Sequence, residues 1–152
     1  MTGFRFNGAA EATPSSALDL ALSGVGPDLV VICPSNPFIS VDPILAVPGI
    51  RDRLLRLGAP VIAVTPIVGG KAIKGPTAKM MDELGMDVTA AGVARHYAGL
   101  IDGFVLDTVD KDAAVEVEDL GMNVLVTNTL MKSLDDRVML AREIIAFSEQ
   151  LK

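Results

Sequence analysis

The chain has 152 residues, half of them hydrophobic, with a mean hydropathy of +0.45, a net charge of −6 and a pI near 4.6. That length forms one domain with a real core, and an acidic balance with one Tyr and no Trp argues against general nucleic-acid binding, which wants a basic face and stacking aromatics. No stretch runs to roughly 18 residues without a charge or a breaker, so no membrane span is expected, and no basic segment followed by an apolar one opens the chain as a signal peptide would. The apolar excess fits strands buried on both faces. Cys33 is the only cysteine. It cannot form an internal disulfide and fits a reducing cytoplasm, where it reads as a small buried apolar residue.

In chain order, residues 1–12 are a polar, Gly-rich opening. Residues 13–23 (TPSSALDLALS) read as a helix with Pro14 near its start and Gly24 past its end. Residues 29–33 are a first strand. Residues 42–57 are helical, interrupted by Pro48 and Gly49. Residues 61–68 (VIAVTPIV) read as one buried strand, followed by a helix over 75–84 and another over 89–97. A strand at 103–107, an acidic helix at 112–120 and a strand at 123–127 come next. The last and longest helix spans 133–150, with Ser133 as N-cap and Asp135 and Asp136 in its first turn. Strands alternating with helices predict an α/β fold: a Rossmann-like, three-layer arrangement with a mostly parallel sheet flanked by helices. Ligands of such sheets sit beyond the carboxyl ends of the strands, which selects the loops after residues 33, 68, 105 and 126.

The loop after residue 68, GGKAIKGP, carries the strongest chemical signal. Gly69, Gly70 and Gly75 let backbone approach a ligand, Pro76 suits the first helical position, and a helix start attracts phosphate. Lys71 and Lys74 add point charges. The spacing from Gly70 to Gly75 resembles a Walker A loop, but Pro76 stands where its lysine belongs. The plainer reading is a Gly-rich turn with two solvated lysines.

The loop after residue 33, PSNPFISVDPIL, presents Ser35, Asn36 and Ser40 from a turn stiffened by Pro34 and Pro37. These groups can grip phosphate oxygens, a ribose or a ring amide, or only satisfy their own turn. Asp107 and Asp110 are candidates for magnesium or for orienting a hydroxyl; such pairs are also common on surface loops. His96, the only histidine, reads at least as well as a structural residue as a general base. Arg51, Arg53 and Arg56 form a solvated helix face by default, with phosphate binding as the alternative.

Together, PSNP with Ser40 and PIL, the Pro-Ile-x-Gly-Gly-Lys loop running to Gly75-Pro76 and Lys79, GVARHY, and FVLD with Asp110 resemble the 2-phospho-L-lactate transferase family of the CofD/FbiA type. The likeness covers residues 6–147. It implies a Rossmann-like core, magnesium as cofactor, and transfer of a phospholactyl or phosphoenolpyruvyl group from a GDP-activated donor to the deazaflavin Fo in coenzyme F-420 biosynthesis. On this resemblance Ser35, Asn36, Ser40, Gly69, Gly70, Lys71, Lys74 and Gly75 contact substrate or phosphate.

The family carries a further N-terminal half with a Gly-rich nucleotide loop and acidic metal ligands. Nothing in this chain matches that half, so residues 1–152 are expected to correspond to the second half and to be incomplete alone. A non-catalytic module for nucleotides or nucleotide sugars is the competing expectation. A homodimer is a further one, because a shortened sheet would expose an apolar edge.

Overall fold

The computed structural model describes residues 1–24 and 26–152. Its centre is a four-stranded, wholly parallel sheet of β1 (Val30–Ile32), β2 (Val61–Val64), β5 (Gly103–Asp107) and β6 (Asn123–Thr127), in the order β1-β2-β5-β6. Val30 aligns with Val61, Ile62 with Gly103 and Gly103 with Asn123. The two middle strands are buried along their whole length. Phe104, Val105 and Leu106 are fully covered, and each such side chain contributes about 1.5–3 kcal/mol over its exposed state.

The alternation of side chains along the strands divides the core in two. Val61, Ala63, Phe104 and Leu106 face one layer of short helices, with Val30, Ile32 and Val124 packed against the same cluster. That layer contains α1 (Ser16–Ala21), α2 (Asp42–Leu45), α3 (Ile50–Arg56), α4 (Thr77–Glu83), α5 (Ala90–His96) and α6 (Ala114–Glu118). Ile62, Val64 and Val105 face the other way, against Leu140, Ile144 and Phe147 of α7 (Leu134–Ser148). Helices thus cover both faces, in the three layers that the sequence pattern predicts. The second layer is one helix, and it leaves Val31 partly exposed.

Local chemistry sets the boundaries. Pro48 and Gly49 separate α2 from α3, and Gly49 takes a left-handed φ of 81°. Ser133 and Asp136 form a reciprocal capping box at the start of α7. The Ser133 hydroxyl and backbone N–H bonds to the Asp136 carboxylate hold that carboxyl below its usual range.

Residues 61–68 do not form one strand. Pro66 has no N–H for the ladder, and β2 ends at Val64. Ile67–Val68 becomes β3, pairing antiparallel with β4 (Lys71–Ala72) through Val68 and Lys71. Gly69 and Gly70 have φ of 57° and 71°, and two left-handed residues suit a two-residue hairpin turn. The glycines therefore make a hairpin tip, and α4 begins later, at Thr77, with Pro76 preceding it. Cys33 is also not buried: it stands exposed just past β1, and among the described residues no strand pairs with the outer side of that edge.

Candidate functional site

A crevice of about 280 Å³ opens beyond the carboxyl ends of the strands. Its wall takes Pro34 and Asn36 from the turn after β1, Thr65 and Pro66 just past the end of β2, Lys74 from the approach to α4 and Thr77 from its first turn, Thr129 from the loop after β6, and Arg137 from α7. Two cationic heads thus meet hydroxyls and a proline-framed turn. Lys74 and Arg137 are exposed and, among the described residues, make no ion pair.

Part of the wall is already committed to structure. The Asn36 side-chain oxygen accepts the N–H groups of Phe38 and Ile39 at 2.9 and 3.2 Å, and its amide nitrogen donates to the Met80 sulfur at 3.2 Å. Asn36 thereby starts the single π-helical turn Pro37–Val41. The Thr65 hydroxyl bonds both backbone groups of Ile67. These bonds fix the floor of the crevice and leave the cationic heads as its free chemistry.

Asp107 holds the far rim. It is buried at the end of β5 and accepts from the Thr129 N–H and hydroxyl at 2.8 and 3.0 Å and from the Val109 N–H at 3.0 Å. Burial alone would push its carboxyl up; the hydrogen bonds from Thr129, Val109 and Thr108 outweigh burial and hold it below the usual carboxylate range. Asp110 accepts the Gly69 N–H at 2.9 Å, which ties the hairpin tip to the same rim. Neither aspartate lines the crevice. Among the described residues no group of three His, Cys, Asp or Glu side chains is placed to hold a metal ion.

The structure distributes the residues that the sequence singles out. Asn36 and Lys74 share the crevice. Ser35 and Ser40 line an apolar groove on the other side of the same turn, against β1. Gly69, Gly70, Lys71 and Gly75 are exposed around the hairpin and outside the crevice wall. His96 lies elsewhere: its Nε2 is 2.9 Å from an Asp42 oxygen, and its ring packs edge-on against Phe38 and Tyr97. Phe4 stacks on Phe38 in turn, so the histidine belongs to a structural cluster. Arg53 pairs with Asp19 at 2.6 Å and, with Arg56, lines a cavity at the opposite, amino-terminal end of the strands. Thr129 and Arg137 were not singled out from the sequence. The strand-end rule reaches Thr129, two residues past β6, whereas Arg137 enters only through the direction in which α7 leaves.

A profile described as 2-phospho-L-lactate transferase CofD matches residues 7–139. The chain belongs to this family. It is similar to a phosphoenolpyruvate transferase of Streptomyces griseus subsp. griseus, with 38% identity over 146 residues, 95% of this chain and 45% of that protein. It is also similar to a 2-phospho-L-lactate transferase of Methanocaldococcus jannaschii, with 45% identity over 124 residues, 82% of this chain and 38% of that protein. A third relative, the 2-phospho-L-lactate transferase of Methanothermobacter thermautotrophicus, shows 40% identity over 115 residues, 76% of this chain and 37% of that protein. The chain spans less than half the length of these curated relatives. The matched region contains every residue named above as lining the crevice, Arg137 included.

Proposed function

We propose that this chain contributes the phosphate-binding crevice of an enzyme that transfers a phospholactyl or phosphoenolpyruvyl group from a GDP-linked donor to the deazaflavin Fo, in coenzyme F-420 biosynthesis. What carries the reading is the meeting of Lys74 and Arg137 in one crevice at the strand ends, in a chain of the 2-phospho-L-lactate transferase family. Phosphoryl transfer needs positioning and charge neutralisation more than covalent help from the protein, and two cations above a rigid floor supply both.

In this reading a hydroxyl of Fo attacks the phosphorus that bears the three-carbon acid. The new P–O bond forms, the bond to the bridging oxygen breaks, guanosine monophosphate leaves with that oxygen, and the hydroxyl proton is released. Lys74 and Arg137 hold the negative oxygens, and the Thr129 and Thr77 hydroxyls border them. Magnesium would arrive as an ion carried by the donor's phosphates, as is usual for that metal; Asp107 and Asp110 are already engaged by backbone N–H groups. The setting is the cytoplasm, in keeping with a single unpaired cysteine. Among the described residues no helix is long and apolar enough to cross a membrane.

One observation favours a second reading. Among the described residues no carboxylate or histidine lines the crevice, so they offer no general base there, and a module that binds a nucleotide or nucleotide sugar without turnover uses the same cations. Calorimetry with Fo, GDP and a uridine nucleotide separates the two. Heat from GDP and Fo, with none from the uridine nucleotide, supports the transferase. Binding of the uridine nucleotide alone supports the module, and silence with all three removes both.

A further inference from the structure

Four uncharged polar side chains line the crevice: Asn36, Thr65, Thr77 and Thr129. The protein itself engages three of them. The Asn36 amide holds Phe38, Ile39 and Met80. The Thr65 hydroxyl donates to the Ile67 carbonyl at 2.9 Å and accepts the Ile67 N–H at 3.1 Å. The Thr129 hydroxyl donates to Asp107 at 3.0 Å, and a hydroxyl has one proton to give. Thr77 differs. Among the described residues its hydroxyl bonds no protein group.

Thr77 is nevertheless only 1% exposed. Among the described residues no fully covered side-chain nitrogen or oxygen lacks a partner, so the opening that Thr77 keeps is at its oxygen, and the space it borders is the crevice. Its place in the helix accounts for the free hydroxyl. Ser15, Thr89 and Ser133 stand at the N-caps of α1, α5 and α7 and accept a backbone N–H there. Thr77 comes one position later, inside the first turn of α4, with Pro76 at the N-cap and no side-chain cap bond. A β-branched side chain is stiff at its first torsion, and close packing on all other sides fixes it further. The oxygen therefore points one way.

A ligand that fills the crevice strips water from this hydroxyl, and a polar group so covered needs a new partner. Lys74 and Arg137 on the same wall select an anion. Phosphate oxygens are strong acceptors, and Thr77 holds the one hydroxyl proton of the wall that no protein acceptor takes.

We infer that the Thr77 hydroxyl donates a hydrogen bond to a non-bridging phosphate oxygen of a nucleoside diphosphate group in the crevice, alongside Lys74 and Arg137. This rests on the phosphate reading of the crevice and adds to it a neutral, fixed donor. The two cations hang on flexible stems and supply charge; Thr77 supplies direction.

Calorimetry on the chain with GDP and with inorganic pyrophosphate tests it. Thr77→Val keeps the shape and deletes the oxygen. It should weaken both ligands about tenfold, the scale of one hydrogen bond to a charged group, while Thr77→Ser stays within about twofold of the parent. The thermal midpoint of Thr77→Val should not fall, because the deleted hydroxyl holds no protein group. Thr129→Val, which takes a donor from buried Asp107, should lower it. If the Val variant fails to fold, Thr77→Ala against Thr77→Ser, one oxygen apart, decides. Equal affinities of the parent and the Val variant overturn the inference and leave the crevice reading standing. A loss for GDP without a loss for pyrophosphate also overturns it, by moving the hydroxyl's partner to the nucleoside. A parent that binds neither ligand overturns the crevice reading and the inference together.

Discussion

Replacing Asp107 by Asn is the most informative single perturbation of the crevice rim. The carboxylate accepts three hydrogen bonds of 2.8–3.0 Å from two loops, two of them from Thr129. It is 1% exposed, so water cannot replace what is lost. An amide keeps the shape but turns one acceptor into a donor facing a backbone N–H. Loss of one charge-assisted bond and the stranding of a buried N–H together cost about 2–4 kcal/mol. Urea unfolding of both proteins at pH 7 should show that difference as a lower midpoint with an unchanged slope. The effect depends on pH with a defined sign. Because the folded-state carboxyl lies below its ordinary value, its stabilisation is complete above the unfolded-state value and is lost as pH falls through the folded-state value. The gap between parent and variant should therefore close in acid. A loss under about 1 kcal/mol at pH 7, the range of an ordinary surface change, would refute the claim that Asp107 holds the rim through its charge.

Further expectations follow from the same geometry. Lys74→Ala should weaken GDP binding about tenfold, the scale of one charge-assisted bond, whereas Lys71→Ala, on the hairpin tip, should change it far less; calorimetry on the two variants decides, and equal losses would bring the hairpin lysine into the site. Gly92→Ala should destabilise the fold by about 3 kcal/mol, the upper range of overpacking, because a Cβ would lie 2.1 Å from the Asp87 carbonyl oxygen; thermal melts measure it, and an unchanged midpoint would mean that α5 and the preceding loop can separate. Ser133→Ala removes the N-cap of α7 and should cost about 1 kcal/mol, read by urea unfolding; no loss would show that the Asp136 carboxylate caps the helix alone.

The fold was legible where burial is continuous and its ends are marked. The strands at residues 103–107 and 123–127 have the bounds that the apolar runs predict, and the break between α2 and α3 falls at Pro48 and Gly49. Legibility failed where two adjacent strands are equally apolar. Residues 61–68 form one hydrophobic run, but Pro66 and the left-handed pair Gly69-Gly70 fold its end into a hairpin, and the lysine loop moves with it. Lys74 thereby reaches the crevice and Lys71 stays outside. Ser40 parts from Asn36 across the turn of π-helix that Asn36 starts, and Ser35 stands before that turn, neither of which spacing alone encodes. Arg137 escaped because its approach depends on how α7 lies across the sheet, a tertiary fact. The exposure of Cys33 follows from the open edge beside it, which local composition does not reveal.

The central claim is that phosphate chemistry belongs to the crevice at the carboxyl ends of the strands and not to the arginine-lined cavity at their other end. Amide chemical-shift mapping on the isotope-labelled chain, titrated with GDP, tests it in one experiment. The account predicts saturable shifts concentrated at Asn36, Thr65, Lys74, Thr129 and Arg137. Shifts concentrated at Gly26, Asp28, Arg53, Arg56 and Gly58 would contradict it.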